Sequence, residues 1–478
     1  MQALSRFEPK PRYIFIKSTE IPATNKETFD YHTREGALER LVPPWSILTV
    51  TSHDGNIKDG AISTFKVTLG FIGFHWKAAH FGYVQDWQFQ DKMVKGPFQT
   101  WTHTHSFTPD KIGRCKMEDK IAYSPPFGKL GAMLLNNTIQ NNLNQLFHYR
   151  HRILRNDISL WKLAARIKGQ KILITGSNGL IGSSLIPLLT AAGEHKVTRL
   201  ERPSSRRNDI RSRSLFWDPS SDKVNLKDLE GFDVVVHLAG ENIFGRWTDS
   251  KKQRILGSRV KSTRLLCDSL IKLANPPSTL ICASATGFYG NRGNEVLTEE
   301  SKPGFGFLSE VCRKWEESTQ IAKDVGIRVV NSRFGVVLTP KGGILQKLLA
   351  LSRFGMGLRF GHENQYISWV SIEDVIGSIF YSIINSSIRG PVNVVSPHPV
   401  TNLEFSKTLA RIIKSKITLP VSQKLATMMF GELADSTMGS SALVVPKKLS
   451  LAGYRFINQE LEDALRLLLG RQQIISQE

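Results

Sequence analysis

Cysteine is scarce in this chain of 478 residues. Cys115, Cys267, Cys282 and Cys312 stand far apart, which argues against a disulfide scaffold or a cysteine-based zinc site and suits a reducing compartment. Long apolar runs are missing as well. Nothing approaches the roughly 20 consecutive apolar residues that cross a bilayer, and the opening MQALSRFEPKPRYIF has no apolar segment of the signal-peptide kind. A cytoplasmic protein with no membrane partner is therefore expected. Acidic residues are outnumbered: 42 Asp and Glu face 63 Lys and Arg, a net charge of +21. Such an excess attracts nucleic acid or phosphorylated ligands. Yet the basic residues are spread along the chain, no helix carries them as a stripe, and an aromatic stacking strand of the RNP type is missing. No specific nucleic-acid partner is expected. The dense exception, Arg199, Arg202, Arg206, Arg207, Arg211 and Arg213, calls for a local explanation.

What is present is a core-forming composition, 41% hydrophobic and 9% aromatic, in a chain too long for one ordinary domain. Residues 1–165 read as the first domain. Residues 14–19 suggest a strand and residues 26–41 a helix that ends before Pro43 and Pro44. From 47 to 123 short alternating segments are broken by Asp54-Gly55, Asp59-Gly60, Gly96-Pro97 and Pro109-Asp110, the pattern of an antiparallel sheet. Residues 128–154 lose the alternation and space Met133, Ile139, Leu143, Leu146 and Phe147 as one long amphipathic helix. A sheet with such a helix against it is an α+β arrangement with room for a cavity between its layers. Residues 150–169, basic and partly helical, read as the join to the second domain. On one strand Trp101, His103, His105 and Phe107 share a face. They suit either a polar outer face or the lining of a pocket. A metal site there would need a further ligand such as His75 or His80, which the sequence does not place, and none is assigned.

Residues 171–182 read KILITGSNGLIG. Ile172 to Thr175 suit a strand buried on both faces. Gly176, Gly179 and Gly182 come next, and Leu185, Leu188 and Leu189 begin a helical pattern. Glycines at this strand-to-helix turn permit close approach of a pyrophosphate, and the helix start offers free N–H groups and a positive dipole end. Pro187 should kink or delay that helix. Further strands at 195–200, 233–238, 278–284 and 327–333 alternate with helices, which predicts an α/β fold with a doubly wound parallel sheet over residues 170–478.

These motifs carry two resemblances. LVPPW (41–45), KGPFQTWTHTHSF (95–107) and FHYRH (147–151) resemble START-like, helix-grip domains of the SRPBCC superfamily, which implies a cavity for a hydrophobic ligand. TGSNGLIG (175–182) resembles the TGxxGxxG of extended short-chain dehydrogenases. HLAGENI (237–243), RWT (246–248), SRVKSTRLL (258–266), ASATGFYG (283–290), KWEE (314–317), PKGG (340–343), SWVSIEDV (368–375) and GPVNVVSP (390–397) recur in order. Together they resemble the atypical, sugar-nucleotide epimerase-like branch of that family, whose bacterial members also occur fused to a START-like domain. The resemblance implies a Rossmann-type fold with a small substrate region at its C-terminal end, an NAD(P) cofactor and a small or nucleotide-linked substrate. It implies that the cofactor lies against Thr175, Gly176, Ser177, Asn178, Gly179, Leu180, Ile181 and Gly182, with Leu238, Ala239 and Gly240 beside them.

The reacting end departs from the family pattern. Active short-chain dehydrogenases carry Tyr-x-x-x-Lys on the helix after the strand that holds a catalytic Ser or Thr. Ser284 ends the matching strand here, with Thr286 as an alternate. The helix beginning near Phe307 offers Leu308 and Cys312, or Ser309 and Arg313, at the two positions. Tyr289 is a candidate substitute proton donor, set against a packing role, and Cys312 is a weak candidate nucleophile. Glu201 lies where an acid holds the NAD ribose hydroxyl, while Arg202 beside it suits the 2′-phosphate of NADP. NADP is the favoured cofactor and NAD the alternative. Two functions stay open: an NAD(P)-dependent oxidoreductase or epimerase with an atypical site, and a dinucleotide-binding sensor without turnover coupled to a ligand-binding domain. The sequence does not set the oligomeric state.

Overall fold

A computed structural model describes every residue except 1–9, 47, 54–56, 70–71, 165–168, 194, 204–212, 220–223, 353–355, 361–362, 416, 422–438 and 474–478. The chain divides into two compact units, Met1–Ala165 with Thr190–Gly193 and Gly470–Glu478, and Arg166–Leu189 with Glu194–Leu469.

In the first unit the alternating segments become seven strands: β1 (Tyr13–Ile21), β2 (Leu48–His53), β3 (Ile62–Leu69), β4 (Ile72–Val84), β5 (Gln88–Lys95), β6 (Thr100–Pro109) and β7 (Cys115–Ser124). They pair antiparallel in the order β1-β7-β6-β5-β4-β3-β2. The helix expected over 26–41 is two helices, α1 (Asn25–Thr33) and α2 (Ala37–Arg40). Thr24 and Glu27 form a capping box that starts α1, and Gly36, at φ +81°, turns the chain between the two helices.

The long helix α3 runs over Gly128–Leu163. It therefore takes in most of the stretch expected to be the join. Its Leu143 and Phe147 pack on Phe15, Ile121 and Tyr123 of the sheet, which is the pattern of one amphipathic face covering an apolar layer. Further along α3, buried Asp157 receives a two-pronged contact from Arg40 at 2.9 Å per bond and the Tyr31 hydroxyl at 3.0 Å. That carboxylate fixes α3 to α1 and α2.

The second unit begins with β8 (Lys171–Thr175) and α4 (Leu180–Ala191). β9 (Lys196–Glu201), β10 (Arg213–Phe216), β11 (Val234–His237), α5 (Asp249–Leu270) and β12 (Thr279–Ala285) come next. Then come α6 (Phe307–Glu317), β13 (Arg328–Phe334), α7 (Ile372–Ile384) and β14 (Gly390–Val394). All pairings in its main sheet are parallel, in the order β10-β9-β8-β11-β12-β13-β14. Ile172, Leu173, Ile174, Val235 and Val236 are fully buried, as strands covered on both faces must be. The order reverses direction between β8 and β11, and the crevice at the carboxyl ends of those two strands is where doubly wound sheets bind ligands. The α/β class with a Rossmann-like parallel sheet and a separate antiparallel sheet at the N-terminal side is thus as expected. Pro187 lies within α4, which runs its full length from Leu180 to Ala191. No helix among the described residues is long and apolar enough to cross a membrane.

Candidate functional site

At the carboxyl end of β8, Gly176 adopts φ +67°. A β-carbon there would stand 2.7 Å from the Leu238 carbonyl and 2.8 Å from the Ala239 nitrogen, so only glycine lets the two strand ends close up. At Gly182 a β-carbon would lie 2.4 Å from the Gly176 oxygen; this glycine lets the start of α4 pack on the turn. Gly179 differs. Its β-carbon would meet only the Gly176 oxygen, at 3.1 Å, and its other side faces a cavity of about 450 Å³ lined by Asn178, Gly179 and Leu180. The turn, the open glycine and the start of α4 fit a dinucleotide pyrophosphate. Thr175, Ser177 and Ile181 build this turn from within: Thr175 and Ser177 are buried, and the Thr175 hydroxyl accepts bonds from the Leu238 and Ala239 N–H groups. Gly240, next in line, approaches the Arg259 guanidinium.

His237 holds this edge together. Its Nδ1 lies 2.7 Å from Thr175 Oγ1 and its Nε2 2.9 Å from Thr263 Oγ1 of α5. Burial lowers its pKa to about 4, so the ring is neutral at physiological pH and serves as a strut.

Glu201, at the end of β9, is buried, and its Oε1 accepts from Asn178 Nδ2 at 2.7 Å and Ser177 Oγ at 3.2 Å. The carboxylate is turned toward the glycine loop. Arg202, the next residue, is exposed. Of the other arginines in the basic cluster, Arg206, Arg207 and Arg211 lie outside the described residues.

The far wall of the same cavity contains residues not singled out from the sequence: Asn242, Phe244, Lys341 and Lys347. Lys347 Nζ sits 4.0 Å from the Phe244 ring centroid, and burial lowers its pKa. A β-carbon on Gly342 would meet Leu180 at 2.8 Å, which explains a glycine beside the cofactor loop in the PKGG motif. That motif was the available signal. Two lysines facing the start of α4 add positive charge where a pyrophosphate would sit.

Ser284 and Tyr289 lie together, but in a structural network. Ser284 Oγ donates to Glu316 Oε1 at 2.7 Å. Arg333 Nε and Nη2 reach the two Glu316 oxygens, each at 2.8 Å, and Arg333 Nη1 donates to the Tyr289 hydroxyl at 2.9 Å. Tyr289 is fully buried, its hydroxyl lies 2.7 Å from Asn393 Oδ1 and 2.9 Å from the Thr298 carbonyl, and burial raises its pKa against the pull of Arg333. The proton-donor reading of Tyr289 is corrected to a packing role, because a proton donor in this chemistry needs access and a lowered pKa. Cys312 is buried on α6 with its thiol pushed up to about 12 by desolvation, so the nucleophile reading is also withdrawn.

In the first unit, Trp101, His103 and His105 line a cavity of about 240 Å³. Phe107 does not. It is fully buried among Phe29, His32 and Phe89, with ring centroids 5.5, 5.2 and 6.0 Å away, because α1 covers that end of the strand; its assignment to the pocket is corrected to core. His75, weighed as a further metal ligand, is exposed, whereas His80 lies in the cavity wall.

The cavity brings in acidic partners from neighbouring strands. Asp91 on β5 is the register partner of His103, and Asp119 on β7 is that of His105. His103 Nε2 lies 2.8 Å from Asp119 Oδ1 and its Nδ1 3.4 Å from Asp91 Oδ2. Burial alone would lower the His103 pKa, but the two carboxylates outweigh it and raise it to about 9. His32, in the same wall, has the opposite shift, to about 3, from burial and then from the charge of His105.

A family model described as the NAD dependent epimerase/dehydratase family matches residues 172–394. An epimerase family protein of Mycobacterium bovis is 37% identical over 295 residues, covering 62% of this chain and 96% of that protein. One from Bacillus subtilis is 37% identical over 300 residues, 62% of this chain and 97% of its own. Among solved structures, a nucleoside-diphosphate sugar epimerase from Corynebacterium glutamicum is 32% identical with a TM-score of 0.78, covering 97% of this chain and 91% of that one. A human epimerase family protein, solved with NADPH, is 29% identical with a TM-score of 0.58, covering 63% of this chain and all of its own.

Proposed function

The chain belongs to the epimerase family of NAD-dependent epimerases and dehydratases, and from that premise we propose that its second unit binds NADP and serves an NADP-dependent oxidoreductase or epimerase reaction on a small or nucleotide-linked substrate. The observation that carries this reading is the open face of Gly179 above the start of α4, with Lys341 and Lys347 across the cavity. The loop would hold the pyrophosphate by backbone N–H groups and the two lysines would neutralise it. The nicotinamide supplies hydride transfer when bound; the chain's part is to place the ring and keep water away.

NADP is preferred because the Glu201 carboxylate is already held by Ser177 and Asn178 while Arg202 stands exposed next to it. An arginine there suits a 2′-phosphate, and the human relative was solved with NADPH. We read the first unit as a START-like domain with a small, largely hydrophobic ligand in the cavity beneath α3, because an antiparallel sheet and one long helix enclose that cavity. On this reading the protein is cytoplasmic, and its partners are small molecules.

A second reading, a dinucleotide-dependent sensor without turnover, is favoured by the network around Ser284 and Tyr289, whose hydroxyls are engaged by Glu316, Arg333 and Asn393. The test is a calorimetric titration of the full chain with NADPH and NADH, with Gly179→Val as control. Binding of NADPH by the wild type and its loss in Gly179→Val with the circular dichroism spectrum retained are expected, since a β-carbon there meets only the Gly176 oxygen, at 3.1 Å, while the residue lines the cavity. Binding of neither nucleotide by wild type sinks both readings. NADPH oxidation with carbonyl or sugar-nucleotide substrates then separates the enzyme from the sensor.

A further inference from the structure

We infer that the first unit holds a divalent transition-metal ion between Asp91, His103 and His105, on the wall of its cavity. The three side chains come from two adjacent, hydrogen-bonded strands. Asp91 of β5 stands opposite His103 of β6, and His105 is two residues on, on the same face. Their position is therefore set by sheet geometry and not by a loop.

The spacing is that of ligands around an ion. His103 Nδ1 and His105 Nε2 lie 3.4 and 3.8 Å from the same oxygen, Asp91 Oδ2, and one ligand atom from each residue falls within 4.8 Å of the others. Nitrogen and oxygen ligands bound to zinc at roughly 2.0–2.2 Å stand about 3–3.5 Å from one another. The two distances from Asp91 come within a few tenths of an ångström of that spacing, and an approach of the two imidazoles by up to about 1.3 Å, from the 4.8 Å that bounds the group, would close the set.

The reverse side of each ring supplies the second argument. His103 Nε2 is 2.8 Å from Asp119 Oδ1, and His105 Nδ1 is 2.7 Å from the same oxygen. The second contact is close in distance but not aligned as a hydrogen bond. Asp119 in turn is braced by His151 Nε2 at 2.5 Å, whose Nδ1 meets Thr19 Oγ1 at 2.8 Å. One buried carboxylate thus holds the His103 imidazole by a hydrogen bond and lies against that of His105, and the other nitrogen of each ring faces Asp91. This is the carboxylate–histidine arrangement that orients metal ligands from behind. With both rings neutral, as ligation requires, Asp91 and Asp119 together balance the two charges of the ion.

The ion would not be coordinatively closed. Two imidazoles and a carboxylate leave positions free, and the free side meets a cavity walled by Phe89, Trp101 and Leu146. His32, in the same wall, has its Nε2 shielded from solvent with no hydrogen-bond partner, which is where a water or ligand atom on the ion would find an acceptor or donor. Arg150, also in the wall, makes an anionic group on the open side favourable. The donor set suits zinc or iron(II).

The experiment uses the untagged full chain, freed of metal with a chelator, and Co²⁺ as the probe. One equivalent should bind and give visible absorption bands, and one equivalent of Zn²⁺ should displace it. Asp91→Asn and His105→Gln should each weaken Co²⁺ binding at least tenfold, with the circular dichroism spectrum and NADPH affinity unchanged. Should either variant misfold, X-ray absorption of the zinc-loaded wild type decides: a nitrogen and oxygen shell with two imidazoles supports the site. The inference is overturned if the wild type binds no stoichiometric Co²⁺, if folded variants bind it as tightly as the wild type, or if the zinc shell lacks two imidazoles.

Discussion

Replacing Glu316 with alanine tests how much of the second unit's stability hangs on one carboxylate. Glu316 receives Ser284 Oγ at 2.7 Å and both Arg333 Nε and Nη2 at 2.8 Å. The Arg333 side chain is 4% exposed and that of Glu316 12%. Truncation would leave a guanidinium in the interior, still touching the Tyr289 hydroxyl and the Phe288 ring but without its counter-charge. Breaking a buried pair in this way costs about 3–5 kcal/mol. Glu316→Gln keeps the shape and one acceptor and should cost less, about 1.5–3 kcal/mol, the worth of hydrogen bonds to a charged group. Ser284→Ala removes one donor only and should cost about 1–2 kcal/mol. The assay is urea unfolding of the full chain at constant pH, tracking the transition that saturating NADPH displaces, since bound ligand marks the unit it stabilises. The expected order is Glu316→Ala, then Glu316→Gln, then Ser284→Ala. A cost below about 1 kcal/mol for Glu316→Ala would refute the reasoning, because it would mean that the pair is solvated or dispensable. A large loss of NADPH affinity in a stable Glu316→Gln protein would refute the structural role instead.

Arg202→Ala should weaken NADPH binding by about 1–3 kcal/mol and leave NADH nearly unchanged; equal losses in calorimetry would place the residue at the shared pyrophosphate or in the fold. For His237 the sign comes from its lowered pKa, about 4 in the folded chain against roughly 6.5 when unfolded. The unfolded chain takes up a proton that the fold refuses, so stability is full above about pH 6.5 and falls by about 3 kcal/mol as pH drops to about 4. A His237→Gln protein should lack that part of the slope, and an unchanged slope in denaturant melts between about pH 4 and 7 would rule the assignment out.

The parallel sheet was legible because its strands are buried on both faces and so read as apolar runs, Ile172 to Ile174 and Val234 to Val236. The glycine loop was legible because backbone constraints at Gly176 and Gly182 leave no other residue type. Less local features were not. Gly36 divides α1 from α2 through a positive φ, which a glycine in a polar stretch does not announce. Tyr289 sits close behind Ser284 in sequence, as a proton donor would, but Arg333 and Asn393 arrive from strands 44 and 104 residues further on and take up its hydroxyl. Phe107 shares a strand face with His105, and only the placement of α1 separates core from cavity along that face.

The metal ligands show the same limit from the other side. His103 and His105 identified a face, but Asp91 and Asp119 join it through strand register, which no short stretch of sequence contains. Register also decides the chemistry. Shifting β5 by one residue against β6 would turn the Asp91 side chain to the opposite face of the sheet, leaving two histidines with one carboxylate behind them and none in front. In the second unit the charges paired between α6 and the end of β13, Glu316 and Arg333, satisfy each other. The polar groups that line its cavity are lysine, amide and serine hydroxyl, groups that hold an anion more readily than they exchange a proton at neutral pH. In the first unit Asp91, His103 and His105 stand at a cavity wall, backed by buried Asp119, with the Nε2 of His32 left over. Buried polar groups are costly unless partnered, so a ligand or ion that completes the set would stabilise the unit it enters. That asymmetry makes the first unit, and not only the dinucleotide cleft, a place to look for chemistry.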